Sequence, residues 1–185
     1  RAGRTHGPTR VQRRCRGQAV AQRTAQHIPG HVLSAFQLDG RAGIPVGPEW
    51  DNGVRFGRVV VSEASDTAAW SGKARDHAGE FGAGIAVSRP VRATDGRLVV
   101  GGFKASEFVE GRVLARIDEA VSAALRYDEA MAGVDAPTAD RGDAFATAER
   151  AVWRNYIPQP GDVVAHMDFA SCLLFSGDTV PTLTD

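Results

Sequence analysis

The spacing of apolar residues changes once along this chain, near Gly111, and that change limits the folds open to it. Before it, apolar text comes in short β-branched runs bounded by turn residues. After it, apolar residues recur every four positions. The first pattern reads as strands and the second as one face of a helix. The expected class is therefore α+β: a strand-rich half, a connector at about 104–111, then a helix-rich half ending in small strands. At 185 residues the chain can form one domain or two small lobes, burying about 70% of its unfolded surface. Two lobes would leave a cleft between them, a usual place for a ligand.

Within the first half, order is expected from His31, where the first apolar stretch begins. Residues 40–57 are glycine-rich and turn-prone, and they run into a strand at 58–62 (Arg58 to Ser62). Ser65, Asp66 and Thr67 offer N-caps for a helix through about Ala78, with Ala69, Trp70 and Ala74 on one side. Two further strands are expected at 84–91 and 97–103, joined by turn text. In the second half, Val113, Ile117, Val121 and Leu125, with Leu114 and Ala124, mark a helical face, and Gly133 is placed to stop it. A second helix is expected from roughly Asp143 to Asn155, carrying Phe145, Ala148, Val152 and Trp153.

Charge is unevenly spread. The formal net charge is zero, yet the first 38 residues hold no Asp or Glu and seven arginines, so all 22 acids lie from Asp39 onward. A basic arm of this kind suits nucleic acid, but its lack of aromatic residues and periodicity reads better as a disordered tail over residues 1–30. Nucleic acid is accordingly not the expected partner. No apolar run approaches the ~20 residues of a membrane span, so no membrane association is expected. The two cysteines, Cys15 and Cys172, suggest no disulfide framework, and a reducing cytoplasm fits best.

The chemistry concentrates in residues 163–185. Phosphoryl transfer needs a group to orient the acceptor hydroxyl and acidic ligands to hold Mg²⁺ on the phosphates. Asp168 follows a short strand, residues 172–175 and 181–184 read as hairpin arms, and Ser176, Gly177 and Asp178 form the turn between them. Asp185 ends the second arm, 17 residues after Asp168.

This text, His166-Met-Asp-Phe-Ala-Ser-Cys-Leu-Leu-Phe175 with the terminal Thr-Leu-Thr-Asp, resembles the catalytic and metal motifs of the aminoglycoside phosphotransferase and choline kinase-like superfamily. Residues 89–111 look similar to an uncharacterised bacterial branch of it. The resemblance implies a two-lobed protein kinase-like fold. Residues 31–110 would be a nucleotide-binding N-lobe and 111–185 an incomplete helical C-lobe. It implies ATP and Mg²⁺ as cofactors and a small hydroxylated molecule as acceptor. Asp168 would orient the acceptor, His166 would prop the catalytic loop, and Asp185 would bind metal. The segment from Gly47 through Asn52 and Gly53 to Gly57 would cover the phosphates. Residues Gly101 to Ala105, with Gly102 and Phe103, would form the interlobe hinge that receives adenine.

The departures are specific. Cys172 stands where the family often has an Asn metal ligand, and a thiol suits hard Mg²⁺ poorly. Met167 replaces a usual glycine. Ser62 stands where the phosphate-pairing lysine belongs, and of the two lysines, Lys73 and Lys104, the first is the expected substitute. The resemblance implies further helices that complete the C-lobe; without them, apolar helix faces within 112–155 are expected to lack cover and activity to be impaired. Alternatives remain for the residues themselves. Asp168 and Asp185 also read as turn residues, His166 as a buried or capping histidine, and His166, Asp168 and Cys172 as a possible Zn²⁺ set. Trp70, Phe103 and Trp153 also read as core. The rival function is a catalytically silent kinase-like module that binds a nucleotide or a protein.

Overall fold

The computed structural model describes residues 28–78, 84–132, 134, 166, 168–177 and 180–184. In chain order the first elements are α1 (Gly30–Ala35), β1 (Ile44–Pro45), a 3₁₀ turn (Pro48–Trp50), β2 (Val54–Phe56), β3 (Val59–Glu63) and α2 (Ala68–Ala78). Then come β4 (Ala86–Val87), β5 (Val99–Val100), β6 (Phe103–Glu107), β7 (Arg112–Val113) and α3 (Ile117–Ala130). After it come α4 (Phe169–Cys172), β8 (Leu173–Phe175) and β9 (Thr182–Leu183). The class is α+β, with largely antiparallel sheets. Among the described residues no helix is long and apolar enough to cross a membrane.

Five strands form one antiparallel sheet in the order β1-β2-β3-β6-β5. Its hairpins are tight because glycine is placed where the chain reverses. Phe56 pairs with Val59 across Gly57, which takes φ 65°. Val100 pairs with Phe103 across Gly101 and Gly102, both at positive φ (57° and 82°), as a type I′ turn requires. The single strand expected at 97–103 is thus a hairpin, whose second arm runs on through Glu107. Positive φ at two successive positions reverses the chain in mid-run, and only glycine takes it without cost.

Residues alternate across the sheet. Val61 and Ala105, paired in register, face a cluster with Val32, Phe36, Leu38, Val54, Phe56 and Val100. The short α1 and the turn after it supply Val32, Phe36 and Leu38 as a lid on this face. Burying each such side chain contributes about 1.5–3 kcal/mol of transfer free energy. The other face carries Val60, Ser62, Lys104 and Ser106.

A second sheet has the order β4-β9-β8-β7, with β4 parallel to β9. The expected hairpin arms are present: Leu173 pairs with Leu183 and Leu174 with Thr182. The segment expected as a strand over 84–91 joins the sheets. Residues 86–87 pair with β9, while Val91 N–H donates to Ala105 O, and Glu107 N–H to Arg89 O. The helix expected near 68–78 forms as α2. The one expected from Val113 begins later, because Arg112 and Val113 pair with Phe175 and Leu174 of β8.

That helix also turns a different face inward. Ala123, Tyr127 and Ala130 are buried, whereas Ile117, Val121 and Leu125 are 72%, 55% and 67% exposed. Small residues on the buried side let α3 approach Leu173 and Phe175. The larger apolar residues stay on the outer side. The expected helix at 143–155 and the arginine-rich segment 1–27 lie outside the described residues.

Candidate functional site

The polar face of the five-stranded sheet opens into a pocket. Ser62 on β3 and Lys104 on β6 are register partners and point to this side together with Ser106. Directly opposed residues have Cβ atoms about 4.5–5.5 Å apart, so the two positions are interchangeable in reach. Lys104 is buried, 9% of its side chain exposed, and its Nζ lies 2.9 Å from Asp51 Oδ2, on a carboxylate that is 43% exposed.

Asp51 is held by the turn that follows β1. Trp50 N–H and Asn52 N–H both donate to Gly47 O, Asp51 N–H to Pro48 O, and Gly53 N–H to Trp50 O. Asp51 and Asn52 both take φ 53°, a left-handed conformation that Asp and Asn tolerate better than most residues. Gly53 cannot be larger: a Cβ there would lie 2.5 Å from Val61 O. This turn puts Glu49, Trp50 and Asp51 at the pocket.

The far wall is the end of β9. Thr184 is buried and lines the pocket; its Oγ1 donates to Glu49 O at 2.5 Å and to Cys172 O at 3.1 Å. Behind it, Arg75 of α2 is 3% exposed. Its Nη1 donates to Ser106 Oγ (3.1 Å), Thr184 O (3.2 Å) and Ser88 O (3.5 Å). One guanidinium therefore ties α2 to both sheets beside the point where the chain reaches Asp185. Asp185 itself lies outside the described residues, as does Met167.

Asp168 stands at the start of α4, exposed, and accepts a 2.7 Å hydrogen bond from Ser171 Oγ. Its N–H donates to His166 Nδ1 at 3.2 Å. The His166 ring meets Tyr127 and Phe169 edge-on, with centroids 6.2 Å and 6.1 Å away. Helix α4 packs on the 3₁₀ turn, which links the Asp168 loop to the pocket wall. Cys172, at the other end of α4, is buried in a cluster with Ala74, Tyr127, Met131 and Leu183.

The structure thus brings Gly47, Asn52 and Gly53 to the turn that borders the pocket. Gly102 lies in the β5–β6 hairpin turn, and Phe103 packs against the α1 face of the sheet, away from Lys104. Lys73 is exposed on α2. Lys104, Arg75, Ser106, Asp51 and Thr184 were not singled out from sequence. Strand alternation across 103–107 is the signal that could have found Lys104 and Ser106. Among the described residues no group of three or more His, Cys, Asp or Glu gathers as a metal site. No protein-family model and no curated protein matches the chain.

Proposed function

We propose that this chain carries an ATP- and Mg²⁺-dependent phosphotransferase site of the aminoglycoside phosphotransferase type, in a two-lobed kinase-like fold, acting on a small hydroxylated molecule. The observation that carries it is the meeting of three parts at one pocket: the Gly47–Gly53 turn, the third strand with its lysine-bearing neighbour, and Thr184. Protein kinases assemble phosphates from the same kinds of part, namely a glycine-rich loop, a lysine on the third strand and acids that hold metal. The enclosed space is about 10 Å³, room for one water, so the phosphate end of a nucleotide would enter only as the Asp51 side chain swings out.

Hard Mg²⁺ prefers oxygen ligands. Glu49 offers a carboxylate at the pocket, and Asp185 is the next residue after Thr184. The buried Cys172 thiol does not suit that ion. Bound there, Mg²⁺ would neutralise charge developing on the transferred phosphoryl group. Asp168, exposed and fixed by Ser171, would accept a hydrogen bond from the acceptor hydroxyl and orient it. His166, wedged between Tyr127 and Phe169, would hold that loop in place.

The test is ATP turnover by the full chain, with and without hydroxylated amines as acceptors. Asp168→Asn is expected to abolish turnover while leaving the melt unchanged. Equal turnover in that variant would contradict the assignment. Ser62 and the buried Cys172 favour one other reading, a silent module. It predicts Mg²⁺-ATP binding without turnover, and no effect of Asp168→Asn on affinity.

A further inference from the structure

We infer that Lys104, working from β6, is the cation of a polyphosphate subsite, and that Asp51 occupies that subsite until an anion displaces it. This rests on the proposed function only for the identity of the anion; the subsite itself stands on geometry. Ser62, on the third strand, cannot supply a positive charge. Its register partner Lys104 can, from the same face of the sheet and one strand away. Lysine has the stem to reach the same point in space from either position.

A lysine that is 9% exposed has given up most of its hydration, and burying a charge is costly unless it is paired. Asp51 supplies the pairing, but from an unusual support. It is 43% exposed and belongs to a tight turn with two successive left-handed residues. Such conformations persist where surrounding structure enforces them and cluster at ligand clamps. A half-exposed carboxylate can return to water at little cost, whereas the buried ammonium cannot. An entering phosphate would therefore take the place of Asp51 beside Lys104, with the hydroxyls of Ser62 and Ser106 on the same wall.

The account makes two variants move in opposite directions. Lys104→Met removes the cation and should weaken binding. Asp51→Asn removes the internal competitor and should strengthen it. A charge-assisted contact of this kind is worth roughly tenfold to a hundredfold in affinity. Moving the lysine, in Ser62→Lys with Lys104→Ser, should restore much of what Lys104→Met loses.

The experiment is calorimetric titration of the full chain and these variants with Mg²⁺-ATP and, separately, with inorganic tripolyphosphate; a thermal melt checks that each variant folds. Weaker binding in Lys104→Met, tighter binding in Asp51→Asn and rescue by the transplanted lysine are expected for both probes. Binding of tripolyphosphate but not Mg²⁺-ATP, with the same mutant pattern, would keep the subsite and overturn the nucleotide reading. Binding of Mg²⁺-ATP that ignores Lys104 and Asp51 would overturn the subsite and leave the nucleotide reading standing. No binding of either probe by the folded chain would overturn both. Should Lys104→Met fail to fold, Asp51→Asn alone decides, since a structural pair predicts no gain in affinity.

Discussion

The two faces of the five-stranded sheet are made from the same strands and have opposite characters. Towards α1, Val61 and Ala105 join Val32, Phe36, Leu38 and Phe56 in an apolar cluster. One residue along each strand, Ser62, Lys104 and Ser106 look into a pocket closed by Asp51 and Thr184 and backed by the buried Arg75. The first face is what a stable sheet needs. The second buries charge and hydroxyls that a stable sheet does not need, and a few convergent polar groups in a pocket are what ligand sites use. Stability and binding should therefore separate by face.

The largest expected effect breaks the apolar face. Phe56→Ala should cost about 3–5 kcal/mol, read by denaturant unfolding, and leave polyphosphate affinity unchanged in whatever fraction stays folded. Next is Arg75→Met, which leaves Ser106, Ser88 and Thr184 without their shared donor. Unsatisfied buried acceptors cost about 1–3 kcal/mol, and because Thr184 precedes Asp185, turnover should fall more than stability. Lys104→Met should sit lower still, within about 1 kcal/mol of the parent, because its partner Asp51 can return to water. A loss as large as that of Phe56→Ala would make Lys104 a structural residue and erase the contrast.

Outside both faces, effects should be small. Leu125→Glu, at a position 67% exposed on α3, should change stability by no more than about 0.5 kcal/mol and reduce self-association seen by light scattering. The smallest effect belongs to Asp95, an exposed turn residue. Hydrogen bonds from the Arg97 side chain and N–H hold its carboxyl below the usual carboxylate range. A lowered pKa contributes stability above the ordinary value, and that contribution is lost as pH falls through the lowered one. Asp95→Asn should therefore match the parent melt at acid pH and differ from it only slightly at neutrality.

Much of the frame was legible because it rests on local pattern. The valine run of β3, α2 with its Ser65, Asp66 and Thr67 before the first turn, and the β8–β9 hairpin each combine periodicity with turn residues at their ends. The β5–β6 hairpin was not, because Gly101-Gly102 interrupts a continuous apolar run and the arm beyond it is half polar. The inward face of α3 was misjudged for a related reason: helical spacing marks a face as apolar but does not say which side finds a partner. Here Ala123 packs with Leu173 and Phe175 of β8, and Tyr127 and Ala130 with Cys172 and Leu183, while Ile117, Val121 and Leu125 stay exposed. Lys104 was passed over in favour of Lys73 because its place depends on pairing with Ser62, some forty residues away in the chain, and no short motif records a cross-strand neighbour.

The most direct test of the central claim, that the polar face is a phosphate site, is the thermal melt of the full chain with and without millimolar Mg²⁺-ATP. A ligand at about 100 times its dissociation constant adds about 2.7 kcal/mol. The account predicts a rise in Tm for the parent, a larger one for Asp51→Asn, and a smaller one for Lys104→Met. A cooperative melt that ligand leaves unmoved in the parent, or moves equally in all three, would contradict it.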